Sequence, residues 1–459
     1  MKKIFFIFCS LLVLFLSSKY YYQKWFGHEL IPNHDILDER DYAFVGYTFR
    51  KTGIPTGWTT LGAYKTVSQR NHQYPVISVV DVNVGKGKET IILVKPFFDQ
   101  PLFGSFLYSL GIQNNPQTFD AVNPSDYRSM AINISVVTGI LLFIASFIIY
   151  RNFFISLFSL VIYSTVPSFI FFSRFALLEN ILIPLSLLNL IFISSRRKIF
   201  LIIAGLIAGL ALITKIQGIY ILLFSLIYLV NQKYHKKDIL LLLAGFSVFP
   251  IIYYSYCLYL SPELLINVYL NQSGRGFFGS LNFLVSIIQP KFHQFPIDGY
   301  WLWGLISFVI LSVQKSSQFI PIKLGFLSYL LVYLFFGSAD YPWYVLPFLP
   351  YLIISSAKFL YDQFTSPKLS SLLILLVLPI STSLFWGHTI INPQENGLLV
   401  YRLVILTIVV GFLIKRYFKN IFWIIFMMTI IIIINKFNHQ AFLYITSNWN
   451  HLPEQFSIK

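Results

Sequence analysis

His34-Asp35-Ile36-Leu37-Asp38-Glu39-Arg40-Asp41-Tyr42 is the stretch on which the reading of this chain turns. Four carboxylates and a histidine fall within eight residues of a chain that is 56% hydrophobic and only 11% charged. Soluble domains carry roughly 25% charged residues, and the mean hydropathy here is +0.69. An acidic run in such a chain marks a place where the polypeptide leaves lipid for water. The residues before it support that reading. Lys2-Lys3 is followed by an apolar run from Ile4 to Leu16 and an interfacial Ser17-Ser18-Lys19-Tyr20-Tyr21-Tyr22, with no small-x-small cleavage site. The pattern reads as an uncleaved first span with a cytoplasmic N-terminus, so that the acidic stretch emerges on the opposite side.

A long extracytoplasmic loop follows, over 19–128. Asp38 to Lys51 reads as a short amphipathic helix with Tyr42, Val45 and Phe49 on one face and Gly53 as its stop. Tyr74 to Val94 reads as a β-hairpin: Val80, Val82 and Val84 alternate, Gly85-Lys86-Gly87-Lys88 turns, and Thr90 to Val94 returns. Pro96 to Gly111 reads as a second amphipathic helix, rich in Phe and Leu, lying on the membrane surface.

Beyond the loop, apolar runs of about 20 residues, the spanning length, recur. They lie near 130–150, 153–172, 178–195, 199–215, 216–232, 238–260, 298–314, 321–338, 342–361, 369–386, 398–414 and 420–435. With the first span the expectation is an all-α polytopic bundle of about 13 transmembrane helices. The cations test the register. Arg151, then Arg196-Arg197-Lys198, then Lys233, Lys236 and Lys237, then Lys315 and Lys323, then Lys358 and Lys368, then Lys415, Arg416 and Lys419 all fall on the side of Lys2 and Lys3. The formal charge of +16 is therefore read as an orientation signal and not as a nucleic-acid footprint. No internal repeat or separate soluble domain is visible. The chain reads as one integral membrane domain over 1–459, with core helices in 129–362 and C-terminal helices and an extracytoplasmic tail in 363–459.

The opposite set of loops holds the residues able to do chemistry. Asp38 and Glu39 sit at the first helix–loop junction, where a carboxylate can deprotonate an acceptor; the plainer reading is an acidic helix N-terminus. Asp99, in Phe98-Asp99-Gln100-Pro101-Leu102, precedes a helix start with exposed N–H donors. Arg174 and Glu179 flank a short outer turn close to hydrocarbon, where an ionisable side chain needs either a partner or a function; they read as site residues or as partners of each other. Lys215 is the one cation at its outer turn and breaks the positive-inside pattern, which suits a fixed ammonium beside a departing phosphate as readily as a snorkelling lysine. Arg275, between Gly274 and Gly276, is a candidate phosphate holder. Tyr341 and Tyr344, in Asp340-Tyr341-Pro342-Trp343-Tyr344, suit a sugar-stacking or lipid-facing wall as well as an aromatic belt. The sequence has no glycine-rich nucleotide loop, no His-x-x-x-His, and only two cysteines, Cys9 and Cys257, both in apolar runs. Nucleotide-dependent cytoplasmic chemistry has no foothold.

Taken in order, Asp38-Glu39 with Tyr42, Asp99-Gln100-Pro101-Leu102, Ser173-Arg174 with Glu179, Thr214-Lys215, and Tyr344 with Pro347 and Pro350 resemble the membrane glycosyltransferases of the GT-C fold. The pattern looks closest to the superfamily of protein O-mannosyltransferases and aminoarabinose transferases, whose members include dolichyl-phosphate-mannose-protein mannosyltransferase-like proteins. The resemblance covers most of the chain to about residue 360. It implies a GT-C-like bundle in the cell membrane, with transfer of a monosaccharide from a polyprenyl-phosphate donor to a protein, lipid or glycan acceptor on the extracytoplasmic side. Asp38 would match the catalytic aspartate, Glu179 a second acidic position that is usually aspartate, and Lys215 a basic residue near the donor phosphate. Asp99-Gln100-Pro101 departs from the frequent His-Pro-Pro. Some members are helped by a divalent cation, the one cofactor the resemblance allows; no metal ligand is read from the sequence itself. Two other classes share a polytopic plan. A transporter or flippase of lipid-linked saccharides would show an inverted repeat and mid-bilayer charges, and a polymerase or ligase would lean on outer-loop arginines.

Overall fold

The computed structural model describes residues 37–64, 76–84, 87–195, 197–273, 300–314, 316–336 and 342–365, with the single positions 406, 409 and 410. The first span, the spans at 369–386 and 420–435, all of 398–414 apart from those three positions, Arg275 and Tyr341 lie outside the described residues.

The first loop begins with helix α1, Leu37–Thr52. Tyr42 and Val45 are buried as the periodicity requires, and Phe49 is half-buried. Gly53 ends the helix at φ +73°, its N–H donating to the Phe49 carbonyl at 2.8 Å; a left-handed residue at this position is the usual reason a helix stops at glycine. The hairpin is present as β2, Val76–Val84, and β3, Gly87–Val94, paired from Val84↔Gly87. A third strand, β1 (Gly57–Thr59), joins the other edge of β3, giving the order β1-β3-β2. The second amphipathic helix is shorter than the pattern suggests: α2 spans Leu102–Ser109. Pro101, in extended backbone before it, supplies the boundary, and 96–99 is irregular.

α1 crosses α2 closely enough that a Cβ on Gly46 would lie 1.9 Å from the Ser105 carbonyl oxygen. This loop unit does not float. Val45, Tyr64, Val94, Phe97, Phe98 and Leu102 form a core with Tyr253, Cys257, Leu264, Leu265 and Val268 from the helices below.

Those helices follow in order: α3 Pro124–Tyr150, α4 Phe153–Thr165, α5 Pro167–Ser173, α6 Leu178–Ile193, α7 Lys198–Leu212, α8 Ile219–Asn231, α9 Lys236–Leu260, α10 Pro262–Ser273, α11 Tyr300–Val313, α12 Ile320–Phe336 and α13 Leu349–Thr365. Among the described residues four helical segments are long and apolar enough to cross a membrane: Pro124–Tyr150, Lys236–Leu260, Ser317–Phe335 and Trp343–Thr365. Shorter apolar helices stand between them, so the chain is a multi-pass membrane protein. The expected span at 153–172 is broken instead at Val166–Pro167, because proline lacks an N–H and pushes the residue before it out of the helical region; Val166 sits at ψ 122°. The expected span at 342–361 starts as a 3-10 turn, Pro342–Phe348, for the same reason at Pro347 and Pro350.

α7 and α9 pack backbone to backbone through small residues. A Cβ on Gly205 would come within 2.1 Å of the Leu242 carbonyl oxygen, and one on Gly245 within 2.3 Å of that of Ile202. The outer side of α9 keeps Leu240, Val248, Ile251, Ile252 and Leu258 exposed, as a lipid-facing surface does. Asn189 on α6 is buried and satisfied twice, donating to the Ala204 carbonyl at 2.9 Å and accepting from the Ser225 hydroxyl at 2.9 Å, which ties α6, α7 and α8 together inside the bundle.

Candidate functional site

Successive residues of a helix point about 100° apart, so the acidic run at the start of α1 sends its side chains to separate destinations. Glu39 is fully buried. Its two oxygens accept from Arg128 of α3, from Nη2 at 2.7 Å and Nε at 3.2 Å, and Oε2 also accepts the Ala176 N–H at 2.7 Å. Arg40 reaches Asp120 at 2.9 Å. Asp41 accepts the Trp58 N–H at 2.5 Å, which pins β1 to the helix. Burial pushes the Asp41 carboxyl well above the usual carboxylate range, with the charges of Asp99 and Asp38 adding to the rise and the Trp58 N–H opposing it.

Asp38 takes the remaining direction and is half-buried. Its charge acts on Tyr42, one helical turn further on, and on Lys215, between α7 and α8. Lys215 Nζ lies 2.5 Å from Glu179 Oε1 and 4.2 Å from the centroid of the Tyr344 ring, a cation over an aromatic face. Glu179 stands in the first turn of α6. The Tyr108 hydroxyl of α2 donates to the Leu177 carbonyl at 2.6 Å just before that turn, and the Tyr329 hydroxyl donates to the carbonyl of Tyr344. Asp38, Glu179, Lys215 and Tyr344, quoted above from four separate stretches, thus share one electrostatic neighbourhood where the loop meets the helix ends.

One expected pairing falls differently. Glu179 is the partner of Lys215 and not of Arg174. Arg174, buried at 3% exposure, lies 5.5 Å from the Phe175 ring and within the fields of Arg128 and Glu39. The tight turn Arg174–Leu177 separates the two side chains and starts α6 so that Glu179 faces 215.

Asp99 is a structural hub of the loop. Its carboxylate accepts from the Thr59 hydroxyl at 2.5 Å and the Tyr64 hydroxyl at 2.8 Å, and its carbonyl accepts from Gln272 of α10 at 2.5 Å. Arg128 was not singled out by sequence reasoning. The signal was there, in a cation at the head of a span on the side that the positive-inside pattern leaves poor in cations, as at Lys215. Tyr64 and Gln272 gave no such signal.

A divalent cation, which the resemblance allows, finds a poor fit: no three His, Cys, Asp or Glu side chains converge among the described residues, and one of the two carboxylates nearest the site already carries the Lys215 ammonium.

The comparisons with known proteins bear on the fold. The fold matches the crystal structure of ArnT from Cupriavidus metallidurans bound to undecaprenyl phosphate, with a TM-score of 0.54 at 12% sequence identity, over 98% of this chain and 77% of that one. The same protein in the apo state matches with a TM-score of 0.50 at 14% identity, over 96% and 76% of the two chains. No protein of curated function matches the sequence. The fold is therefore ArnT-like. Residues 92–267 match the family described as dolichyl-phosphate-mannose-protein mannosyltransferase, a stretch that runs from β3 to α10 and contains Arg128, Arg174, Glu179 and Lys215.

Proposed function

We propose that this protein moves a monosaccharide from a polyprenyl-phosphate carrier to a protein, lipid or glycan acceptor on the extracytoplasmic face of the cell membrane. The observation that carries the reading is the meeting of Asp38, half-buried at the mouth of the loop, with the buried Glu179–Lys215 pair. A catalytic base needs access to its substrate; Asp38 is half-buried, whereas Glu39 beside it is fully buried and locked to Arg128.

In this mechanism Asp38 takes the proton of the acceptor as the acceptor attacks the anomeric carbon. The bond from that carbon to the phosphate oxygen breaks, and the carrier phosphate leaves with one more negative charge. Lys215 has three N–H donors. One goes to Glu179, and another turns to the phosphate oxygens, stabilising charge as it develops. Attack from the face opposite the leaving phosphate inverts the anomeric centre. Tyr344 forms the wall against which the Lys215 ammonium is held. Glu39 acts through position: with Arg128 and the Ala176 N–H it fixes the first turn of α1, and with it Asp38. Asp99 ties the loop to α10 and so sets the height of the roof. Arg174, Arg275 and Tyr341 complete the substrate-binding set in this reading.

The test is purified protein incubated with a panel of polyprenyl-phosphate sugars while release of the carrier phosphate is followed. Release that depends on Asp38 supports the assignment. Undiminished release by Asp38→Asn, at normal membrane levels, removes Asp38 from the mechanism.

A further inference from the structure

The loop helix α2 runs between the two turns that carry the buried ion pair, and it meets each turn at the two residues just before the charged one. On one side the Phe103 N–H donates to the Ile213 carbonyl at 3.0 Å. Both groups belong to helix ends, the start of α2 and the end of α7, where the helix itself supplies no partner. On the other side the Tyr108 hydroxyl donates to the Leu177 carbonyl at 2.6 Å, where α6 begins. Gly104 lies between these two bonds, on the same face of α2 as Tyr108 four residues later. A Cβ on Gly104 would stand 2.4 Å from Leu178 Cδ2 and 3.2 Å from Thr214 Cγ2. The bare glycine thus lets α2 sit between Leu178 and Thr214, the immediate neighbours of Glu179 and Lys215.

A charge-assisted hydrogen bond weakens steeply as its length and angle depart from the optimum. Glu179 and Lys215 stand on separate helix ends, so the geometry of their bond depends on how those ends are held together. Tyr108 is fully buried, and its bond to Leu177 is not needed to satisfy that carbonyl, which already accepts the Asn180 N–H at 3.0 Å. What the phenol adds is a fixed position. We propose that Tyr108 is a positioning residue for transfer: with the Phe103 N–H and the gap at Gly104, it sets the separation of the turns bearing Glu179 and Lys215. It thereby sets the point at which the ammonium meets the departing phosphate. α1 rests on the same helix through Gly46, so α2 also references Asp38 to the pair. This rests on the reading of Lys215 as the group that stabilises the carrier phosphate.

The experiment compares purified full-length wild type, Tyr108→Phe, Gly104→Ala and Ser225→Ala, each with the polyprenyl-phosphate sugar that wild type uses best. Tyr108→Phe keeps the ring, and the methyl of Gly104→Ala meets only the ends of side chains. Ser225→Ala is the matched control, since it removes a buried hydroxyl bond to Asn189 inside the bundle. Tyr108→Phe and Gly104→Ala should each lower kcat per folded molecule about tenfold and leave the carrier KM within about twofold of wild type. Ser225→Ala should lower the melting temperature and leave kcat as it is. A second measurement does not use activity. Tyr108→Phe is placed in the Lys215→Met/Glu179→Gln double variant, which has no ion pair to position, and there it should lower the melting temperature less than it does in wild type. If Tyr108→Phe fails to fold, Gly104→Ala takes its place in both measurements. The proposal is overturned if Tyr108→Phe keeps the wild-type kcat, if it raises KM alone, if Ser225→Ala loses as much kcat, or if the melting temperature falls equally in both backgrounds. Unequal falls, in a wild type that releases carrier phosphate from no donor, would sink the reading of Lys215 and still support Tyr108 as the residue that sets the pair. Release with equal falls would sink this proposal alone.

Discussion

Lys215 and Glu179, 36 residues apart, form a buried ion pair with Nζ 2.5 Å from Oε1 and side chains only 3% and 2% exposed. Breaking such a pair by removing one partner costs about 3–5 kcal/mol, because the other charge is left in a low-dielectric site. Lys215→Met is therefore expected to lower stability by about 3 kcal/mol and to abolish transfer. Adding Glu179→Gln to it should restore most of the stability and none of the transfer. Thermal unfolding in detergent beside carrier-phosphate release distinguishes the two effects; recovery of transfer in the double variant would exclude a direct role for the ammonium.

Asp38 and Glu39 are neighbours in sequence with opposite surroundings, one half-buried and one sealed under Arg128 and the Ala176 N–H. Asp38→Asn should accumulate normally, with a stability change within about 1 kcal/mol, and should lose about 10²–10⁴ in rate. Glu39→Gln should instead cost about 3 kcal/mol and reduce the folded yield, while the protein that does fold keeps its rate per molecule. Equal rate losses at equal yields would mean that both carboxylates touch substrate.

How much of this was legible beforehand depends on how far apart in the chain the cause lies. α1 and its Gly53 stop, and the β2–β3 hairpin, follow from local periodicity and were read with boundaries close to those observed. β1 was not, since three residues, Gly57–Thr59, carry no period; Asp41 and the edge of β3 make them a strand. The break at Val166 was visible in Pro167, but a run of apolar residues masked it. Glu179 and Lys215 stood out by being ionisable where that is costly, Asp38 by its place in an acidic run at the first helix–loop junction. The pairing of Glu39 with Arg128 across 89 residues is tertiary information, which composition and spacing do not hold.

Asp41 gives the loop a pH dependence whose sign is fixed by its environment. Its carboxyl is raised above the unfolded value of about 3.9 by burial and by the nearby charges of Asp99 and Asp38, against the Trp58 N–H. A raised carboxyl binds its proton more tightly in the folded state. Its contribution is therefore complete below the unfolded value and lost as pH rises through the folded one. Asn presents a neutral oxygen to the Trp58 N–H at every pH. Melting temperature followed upward from pH 4 should decline for wild type, and this decline should be smaller for Asp41→Asn. Parallel profiles would show that Asp41 titrates normally.

Gly46 decides whether the roof of the site can sit on α2 at all. A Cβ there would lie 1.9 Å from the Ser105 carbonyl oxygen and 2.8 Å from the Phe106 nitrogen, both backbone atoms that no rotamer change can move aside. Gly46→Ala must push α1 off α2, and overpacking of this kind costs about 1–3 kcal/mol. α1 carries Asp38, Tyr42 and the Asp41 anchor of β1, so the displacement should reach the chemistry, lowering the transfer rate of the folded protein as well as its melting temperature. Gly62 is the control. Its added Cβ would come no closer than 4.0 Å to anything, the nearest atom being Asn271 Nδ2, so Gly62→Ala should leave both quantities as they are. If Gly46→Ala is equally silent, α1 does not rest on α2 at this distance in the membrane, and the placement of Asp38 over the Glu179–Lys215 pair loses its support.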